Sequence, residues 1–420
     1  MINNSNEQIN YLYYIKNINE YNVDYISIDL EIKRFNIINN LIELFKLFIK
    51  KININNKYII YNKNFIYNKI NEYVQRWCWL QYNISDIVIL DIVIPYNSNN
   101  NYDFTDFIDF INYNLETTYN LDDEIFLFFK NDIINYLKKS YIDELYNNIN
   151  YYNLLNINII DKINKLSITL IYNKVKINFS LKLYYKLCDK FKKFSNENIK
   201  YMNIYIFCLI FRYSYMESGN QQLAINDKIK SFFKKVNVNF ELYGSAINSS
   251  SDHYCSLYYD IEKHFGSKGN FFDIELEEGV YWCNPPYNNT ILTNTAYKII
   301  EYLNSNKKLI FIITIPIWDN ETKKIINNYS NVTRYIDVNK DYSIYNDYLI
   351  YFLLKPYIKD ELIIPKYRIP YFNFRLNKYI YAVDTYMLIV YNYNFNNLVN
   401  KYHKIFDNII DLDKNNYFIV

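Results

Sequence analysis

Glycine is scarce in this 420-residue chain. There are five glycines, alongside seven prolines, three histidines and five cysteines. No GxGxxG phosphate fingerprint is present, so a nucleotide-bearing ligand would have to reach the backbone through another small-residue turn. The cysteines (Cys78, Cys188, Cys208, Cys255, Cys283) are odd in number and never spaced CxxC. They read as reduced thiols of an intracellular protein. His253, His264 and His403 form no cluster of ligand spacing, so no metal is expected. An excess of one charge is missing as well. With 46 basic and 44 acidic residues the net charge is +2, which excludes a basic DNA-coating protein. Any nucleic-acid contact must come from a local patch. The longest apolar runs, Ile204–Phe211 and Leu309–Ile317, fall short of the ~18–20 residues a membrane span requires. The first ten residues, MINNSNEQIN, lack the basic and apolar regions of a signal peptide. A soluble intracellular protein, cytoplasmic or nuclear, is expected.

What is abundant is tyrosine (50) and phenylalanine (28), and Ile, Asn, Lys and Tyr together fill most positions. That bias fits an AT-rich coding sequence, as in a virus or protist, and it empties the Asn- and Lys-rich runs of information. Half the residues are hydrophobic, enough for a large core, and the length favours two domains.

Ile26, Ile28, Leu30 and Ile32 alternate with polar residues and read as a strand, and residues 36–52 then adopt helical spacing. Residues 84–94 are β-branched and strand-like up to Pro95. A helix is expected over about 122–148, and two short strands around Tyr172-Asn173. Residues 181–194 place Lys182, Lys186, Lys190 and Lys193 on one helical face. That face is either a phosphate-contacting stripe or a solvated lysine face, and the second weighs more in a lysine-rich chain. Arg34 and Arg76 are two of only six arginines. Arg76 lies in the run QRWCW (75–79) beside Trp77 and Trp79, where a guanidinium and an indole can hold a phosphate and a base. Salt bridging and core tryptophans are the plainer reading of each residue taken alone.

All five glycines lie between 219 and 279, so the backbone there must make turns or approaches that side chains would block. Residues 236–243 alternate like a strand and run into Gly244-Ser245-Ala246. Directly downstream of the glycine region is the stretch Gly279 to Asn289 (GVYWCNPPYNN). A strand ending in Pro-Pro cannot run straight into a helix, because proline fixes φ and removes a donor. Carbonyls, the Asn284 amide and the Tyr287 ring are thereby gathered at one turn. Such a cluster suits a planar amino-bearing group, with acceptors in its plane and a ring on its face. A helix over 290–304 follows, then a buried strand over 308–317, with further strands expected at 348–354 and 386–391. The alternation implies a parallel or mixed sheet in an α/β fold.

These residues resemble a known family. Asn284-Pro285-Pro286-Tyr287 is the NPP[Y/F] signature of S-adenosyl-L-methionine-dependent methyltransferases acting on exocyclic or amide nitrogens. FRYSYMESGNQQLAI (211–225), FELYGSAIN (240–248), HYCSLYYDIEKHFGSKGNFFDIELEEGVYWCNPPY (253–287) and IFIITIPIW (310–318) together resemble a narrower group. That group is the phosphorylated CTD-interacting factor 1 family of cap-specific adenosine N6-methyltransferases.

The resemblance implies a Rossmann-like methyltransferase core over 201–420, preceded over 1–200 by a mainly helical, mixed α+β domain that is a candidate cap- or RNA-binding surface. It implies capped mRNA with adenosine as first nucleotide as the partner. It also assigns Asn284, Pro285, Pro286 and Tyr287 as catalytic, the same four with Asn288 beside the cofactor, and Asn289 near substrate; Trp318, Arg34 and Arg76 are substrate candidates on their own side-chain chemistry. Ser245, Asn248 and Asp273 are cofactor candidates near strand ends, where Rossmann-like folds place ligands. Each has an ordinary alternative as a turn serine, an Asx turn or a cap. Three departures stand out, the first being Tyr287 in place of phenylalanine after Pro-Pro, which keeps stacking and adds a hydroxyl. The paired tryptophans and terminal proline of a WW domain are not found, so binding to a phosphorylated polymerase tail is not expected. Asn289 stands where the family carries an acidic residue. Adenine in DNA or internal RNA, a glutamine amide, or a catalytically silent RNA- or cap-binding role are the alternative readings.

Overall fold

The computed structural model describes residues 26–52, 63–81, 91–97, 100, 102–105, 107–108, 111–112, 122–145, 160–163, 166–216, 223–225, 227–235, 237–238, 240–286, 289–317, 349–364, 371–373, 378–380, 384–392 and 406. The chain forms two compact units. The first comprises Met1–Cys188 and Asn196–Asn220, and the second Asp189–Ser195 and Gln221–Val420.

In the first unit, helix α1 (Ile28–Ile52) begins where the sequence suggested a strand. Its first turns bury Ile28, Leu30, Glu31 and Arg34, and two buried charges within an apolar face hide the helical period. Asp29 and Glu31 at its start and Lys50 and Lys51 at its end suit the helix dipole. Helices α2 (Lys63–Leu80) and α3 (Glu124–Lys139) pack with it, and α3 continues as a π-helical stretch, Ser140–Leu145. Rings fill the space between them. Phe48 stacks on Phe129 at 4.3 Å, Phe45 meets Phe129 edge-on at 4.9 Å, and Trp77 stacks on Phe104 at 5.1 Å. Strands β1 (Ile160–Ile163), β2 (Ser167–Tyr172) and β3 (Val175–Ser180) make an antiparallel meander. The β2–β3 turn, placed where the sequence indicated, uses Asn173 at φ 52°. Helix α4 (Leu181–Phe194) opens in this unit, and its last turn belongs to the second. Helix α5 (Met202–Met216) completes the first unit. Of the strand-like stretch 84–94, residues 84–90 lie outside the described residues and 91–94 form bends.

The second unit is mixed α/β. A short strand β4 (Leu223–Ala224) and helix α6 (Asp227–Lys235) precede strands β5 (Phe240–Glu241) and β6 (His253–Tyr254). Helix α7 (Tyr259–Glu262), strand β7 (Gly279–Cys283), helix α8 (Asn289–Leu303) and strand β8 (Leu309–Ile317) follow. Residues 349–354, expected to be a strand, form helix α9 (Leu349–Leu354). A short apolar run cannot be assigned by period alone. Strands β9 (Ile358–Ile364), β10 (Tyr371–Asn373), β11 (Lys378–Ile380) and β12 (Asp384–Val390) close the chain's described part.

Six strands form one sheet in the order β6-β5-β7-β8-β12-β9, and β11-β10-β4 form a small second one. Within the large sheet β6, β5, β7 and β8 run parallel, whereas β12 is antiparallel to both β8 and β9. Residues 309–315 of β8 are buried one after another, on both faces of the sheet, which explains the unbroken apolar run there. One core cluster joins Phe233 of α6, Trp282 of β7, Ile310 and Ile312 of β8, Leu362 of β9 and Met387 of β12.

Candidate functional site

The chain leaves β5 towards β6 on one side, and later enters β7 on the other side of β5 before moving on to β8. The carboxyl ends of β5 and β7 therefore flank a topological switch point, where open α/β sheets bind ligands. Phe240 pairs with Tyr281 and Glu241 with Trp282, so both strands end at the same sheet edge. The Leu242 amide extends the pairing by donating to the Trp282 carbonyl at 2.7 Å. The turn Tyr243-Gly244-Ser245 leaves one strand at this edge, and Asn284-Pro285-Pro286 leaves the other.

Beyond β7 the chain stays non-helical through Pro286 and enters α8 at Asn289. This is the stop that two prolines enforce. Pro285 is buried, while Asn284 and Pro286 are partly exposed. Tyr287, Asn288 and Trp318 lie outside the described residues, as does the side chain of Asn289.

The other wall is self-braced. The Ser245 amide donates to Asn248 Oδ1 at 2.8 Å, and the Asn248 amide donates to Ser245 Oγ at 3.2 Å. Two of the cofactor candidates thus hold each other in the turn that their residue types favour. Glu262 accepts from the Ala246 amide at 2.8 Å, and Glu241 accepts from the Ser250 and Ser251 amides at 2.7 and 2.9 Å. These two buried carboxylates fix the loop from inside. Neither was singled out in the sequence, where Glu241 is simply one polar position of an alternating run.

Asp273 differs from all of these. Its Oδ1 is buried with no hydrogen-bond partner, and burial pushes its carboxyl up to about 7, with Lys298 opposing the shift. Carboxylates in that condition are over-represented at functional sites. Next to it, Tyr243 meets the Phe271 ring edge-on at 5.5 Å and its hydroxyl lies 2.6 Å from Thr295 Oγ1. Thr295 donates its own proton to the Ile291 carbonyl, so Tyr243 is the donor of the pair. Helix α8, which carries the Asn-Pro-Pro turn at its amino end, is thereby tied to the turn that follows β5. Sequence reasoning missed Tyr243 and Thr295, since one more tyrosine among fifty carries no signal.

Other expectations fare less well. Arg34, a substrate candidate, is 2% exposed and bound to Glu31 and Asp91 at 2.7 Å each. It serves the core of the first unit instead. Trp77 and Trp79 are buried, as the plainer reading had it, and Arg76 stacks over the Tyr73 ring at 5.5 Å. In the lysine stripe of α4, Lys190 is buried and donates to the Ser251 carbonyl at 2.8 Å, and Lys193 pairs with Asp252 at 2.7 Å. Half of the supposed phosphate stripe is therefore engaged within the second unit. His264 meets Ser195 Oγ at 3.0 Å and His253 lies against the Phe194 ring at 5.2 Å, while His403 is outside the described residues. Among the described residues no group of three or more His, Cys, Asp or Glu is placed to hold a metal, and no helix is long and apolar enough to cross a membrane.

A mixed sheet whose switch point is walled by a small-residue turn and an Asn-Pro-Pro turn defines an α/β protein with a candidate ligand edge at the carboxyl ends of β5 and β7. The family model described as "Phosphorylated CTD interacting factor 1 WW domain" matches residues 180–343, which include both turns. Over that span the chain is similar to the phosphorylated CTD interacting factor 1 family, in line with the resemblance of its sequence. The match carries a WW domain in its description, so it lends no support to the expectation that this chain does without one. An mRNA (2'-O-methyladenosine-N(6)-)-methyltransferase of Mus musculus is 27% identical over 121 residues, which is 27% of this chain and 17% of the mouse protein. The protein of the same description from Homo sapiens gives the same identity and coverage. The chain thus spans under a fifth of the length of these curated relatives.

Proposed function

We propose that the second unit is a Rossmann-like, S-adenosyl-L-methionine-dependent methyltransferase that modifies N6 of the cap-adjacent adenosine of mRNA. The observation that carries this reading is the Asn284-Pro285-Pro286 turn leaving β7 at the switch point with β5. The relatives' names supply the acceptor: both are described as acting on 2'-O-methyladenosine N6 of mRNA.

The residues present suit a nucleoside-bearing cofactor. Gly244 lets the turn after β5 pack closely against Tyr254 and Ser249, and Asp273 presents a partnerless carboxylate oxygen. Ser245, Asn248 and Asp273 would flank such a cofactor, together with Asn284 to Asn288. When bound, it supplies a methyl group already activated for attack. The protein's task is then positional. An adenine amino group is a weak nucleophile because its lone pair is delocalised into the ring. The Asn284 side chain and the Pro285 carbonyl accept its two N–H hydrogens, which favours a pyramidal nitrogen with its lone pair turned outward. Stacking on Tyr287 would fix the plane of the base. Asn289, Trp318 and Arg76 remain substrate candidates, and the region 1–200 remains the proposed cap or RNA surface.

The test is transfer of a labelled methyl group to short RNAs that differ only in cap and first base. Capped RNA starting with adenosine should be labelled strongly and its uncapped twin weakly. Equal labelling of both would overturn cap specificity. No labelling of any adenine substrate would overturn the methyltransferase reading.

A further inference from the structure

Among the described residues around the sheet's ligand edge, Asp273 is the one whose buried side-chain oxygen has no partner. A buried carboxylate oxygen without a donor costs stability, and a donor brought by a ligand would offset that cost.

Its surroundings place it at the ligand edge. The residue ends the turn Phe271-Phe272-Asp273, and its amide donates to the Asn270 carbonyl at 3.0 Å. The carboxylate is close enough to Cys255, the residue after β6, to raise that thiol's pKa. On α8 the cation of Lys298 acts on it, although the Lys298 ammonium is bonded to Glu301 at 3.2 Å. Also on α8, the Tyr302 hydroxyl donates to the carbonyl of Ile274, the next residue. Tyr243 faces the same turn from the end of β5 through Phe271 and Phe272, and Glu275 projects into solvent at 93% exposure. The titratable and charged neighbours are therefore one committed lysine, one buried thiol, two tyrosines and a solvated glutamate. None of these neighbours donates a hydrogen bond to Oδ1.

We propose that Asp273 accepts hydrogen bonds from the nucleoside part of the cofactor and binds it only as the carboxylate, so that cofactor affinity is coupled to pH. The inference rests on the methyltransferase reading and adds to it a proton-linked control of cofactor binding. A nucleoside offers vicinal hydroxyls or an amino group as donors, and a protonated carboxyl would present its own hydrogen to one of them. Because burial already holds the carboxyl up to about 7, binding to the carboxylate form must release a proton below that pH.

The experiment is calorimetric titration of the full chain with S-adenosylhomocysteine and with 5'-methylthioadenosine, from pH 6 to pH 8. Repeating it in buffers of different ionisation enthalpy counts the protons released. The expected result is an affinity that rises about tenfold from pH 6 to pH 8, with proton release below pH 7, for both ligands. Asp273→Asn should bind at least about tenfold more weakly at pH 8, with the pH dependence and the proton release gone. Lys298→Met, which touches no ligand in this scheme, should move the pH profile upward while leaving affinity at high pH unchanged. An Asp273→Asn protein that keeps wild-type affinity and pH profile overturns this inference and leaves the methyltransferase reading standing. A wild-type protein that binds neither ligand at any pH overturns both.

Discussion

Glu31 and Arg212, 181 residues apart in sequence, bond to each other inside the first unit with neither side chain reaching solvent. Glu31 also accepts from Arg34 at 2.7 Å and from the Tyr215 hydroxyl at 2.6 Å, and Arg34 passes on to Asp91 at 2.7 Å. Two guanidinium groups and two carboxylates thus balance within the core, and Asp91 uses its other oxygen on the amides of Val93 and Ile94.

Removing Glu31 leaves two buried cations facing one partner. Glu31→Ala should therefore destabilise the first unit by about 3–5 kcal/mol, the usual cost of breaking a buried ion pair from one side. A denaturant titration that reports this unit checks it. A loss below about 1 kcal/mol, typical of exposed pairs, would mean the network is not shielded from water as the geometry indicates.

Asn284→Ala bears on the chemistry itself. With the side-chain acceptor gone, methyl transfer should fall by about 100- to 1,000-fold, in line with losing one preorganised polar contact to the reacting group. Circular dichroism should change little. Activity within a few-fold of wild type would remove Asn284 from the reacting centre.

Gly266, in the segment Phe265-Gly266-Ser267, tests the loop after α7 without touching the site. Its φ is 102°, and an added Cβ would collide with the Asp252 carbonyl and come to 2.9 Å from the Phe194 ring. Gly266→Ala should cost about 1–3 kcal/mol through backbone strain and that collision. A melting temperature equal to wild type would show that the loop relaxes freely.

Tyr243→Phe removes one hydroxyl and leaves the ring packed on Phe271. If the bond to Thr295 sets the spacing between the β5 turn and the Asn-Pro-Pro turn, kcat should fall about three- to tenfold, the worth of one ordinary hydrogen bond. KM for RNA and cofactor affinity should stay near wild type. A drop in cofactor affinity with kcat unchanged would place Tyr243 in the cofactor site and not between the two walls.

Much of the second unit could be read before folding. Proline chemistry announced the stop after Cys283, and the unbroken apolar run from Leu309 announced a doubly covered strand. Local chemistry dominates in both places. The first helix was misread in its opening turns because Glu31 and Arg34 break the apolar face, and their partners at 91 and 212 are distant in sequence. Ser245 and Asn248 were found by position, yet the bonds between them follow turn geometry that no ligand argument required. Asp273 was legible only as an acidic residue after a glycine-bearing loop. Its lack of a partner depends on Phe271, Cys255 and α8 closing around it, which is tertiary information.

That lack of a partner makes Asp273 a liability to the ligand-free fold, and the sign of its effect can be worked out. Its folded pKa is pushed up from the usual 3.8 to about 7 by burial. Below about pH 4 both folded and unfolded chains hold the proton, and the residue imposes no pH-linked penalty. As pH rises towards 7 the unfolded chain gives up the proton while the folded one keeps it, so folding loses ground, and above 7 the full penalty applies. Asp273→Asn cannot ionise. Without ligand, the variant should be more stable than wild type by about 1–3 kcal/mol at pH 8, with the advantage shrinking towards pH 4. Thermal melts of both proteins across that range check it. A variant less stable than wild type at pH 8 would mean that the carboxylate is satisfied within the fold, and Asp273 would then be a structural residue with no claim on a ligand.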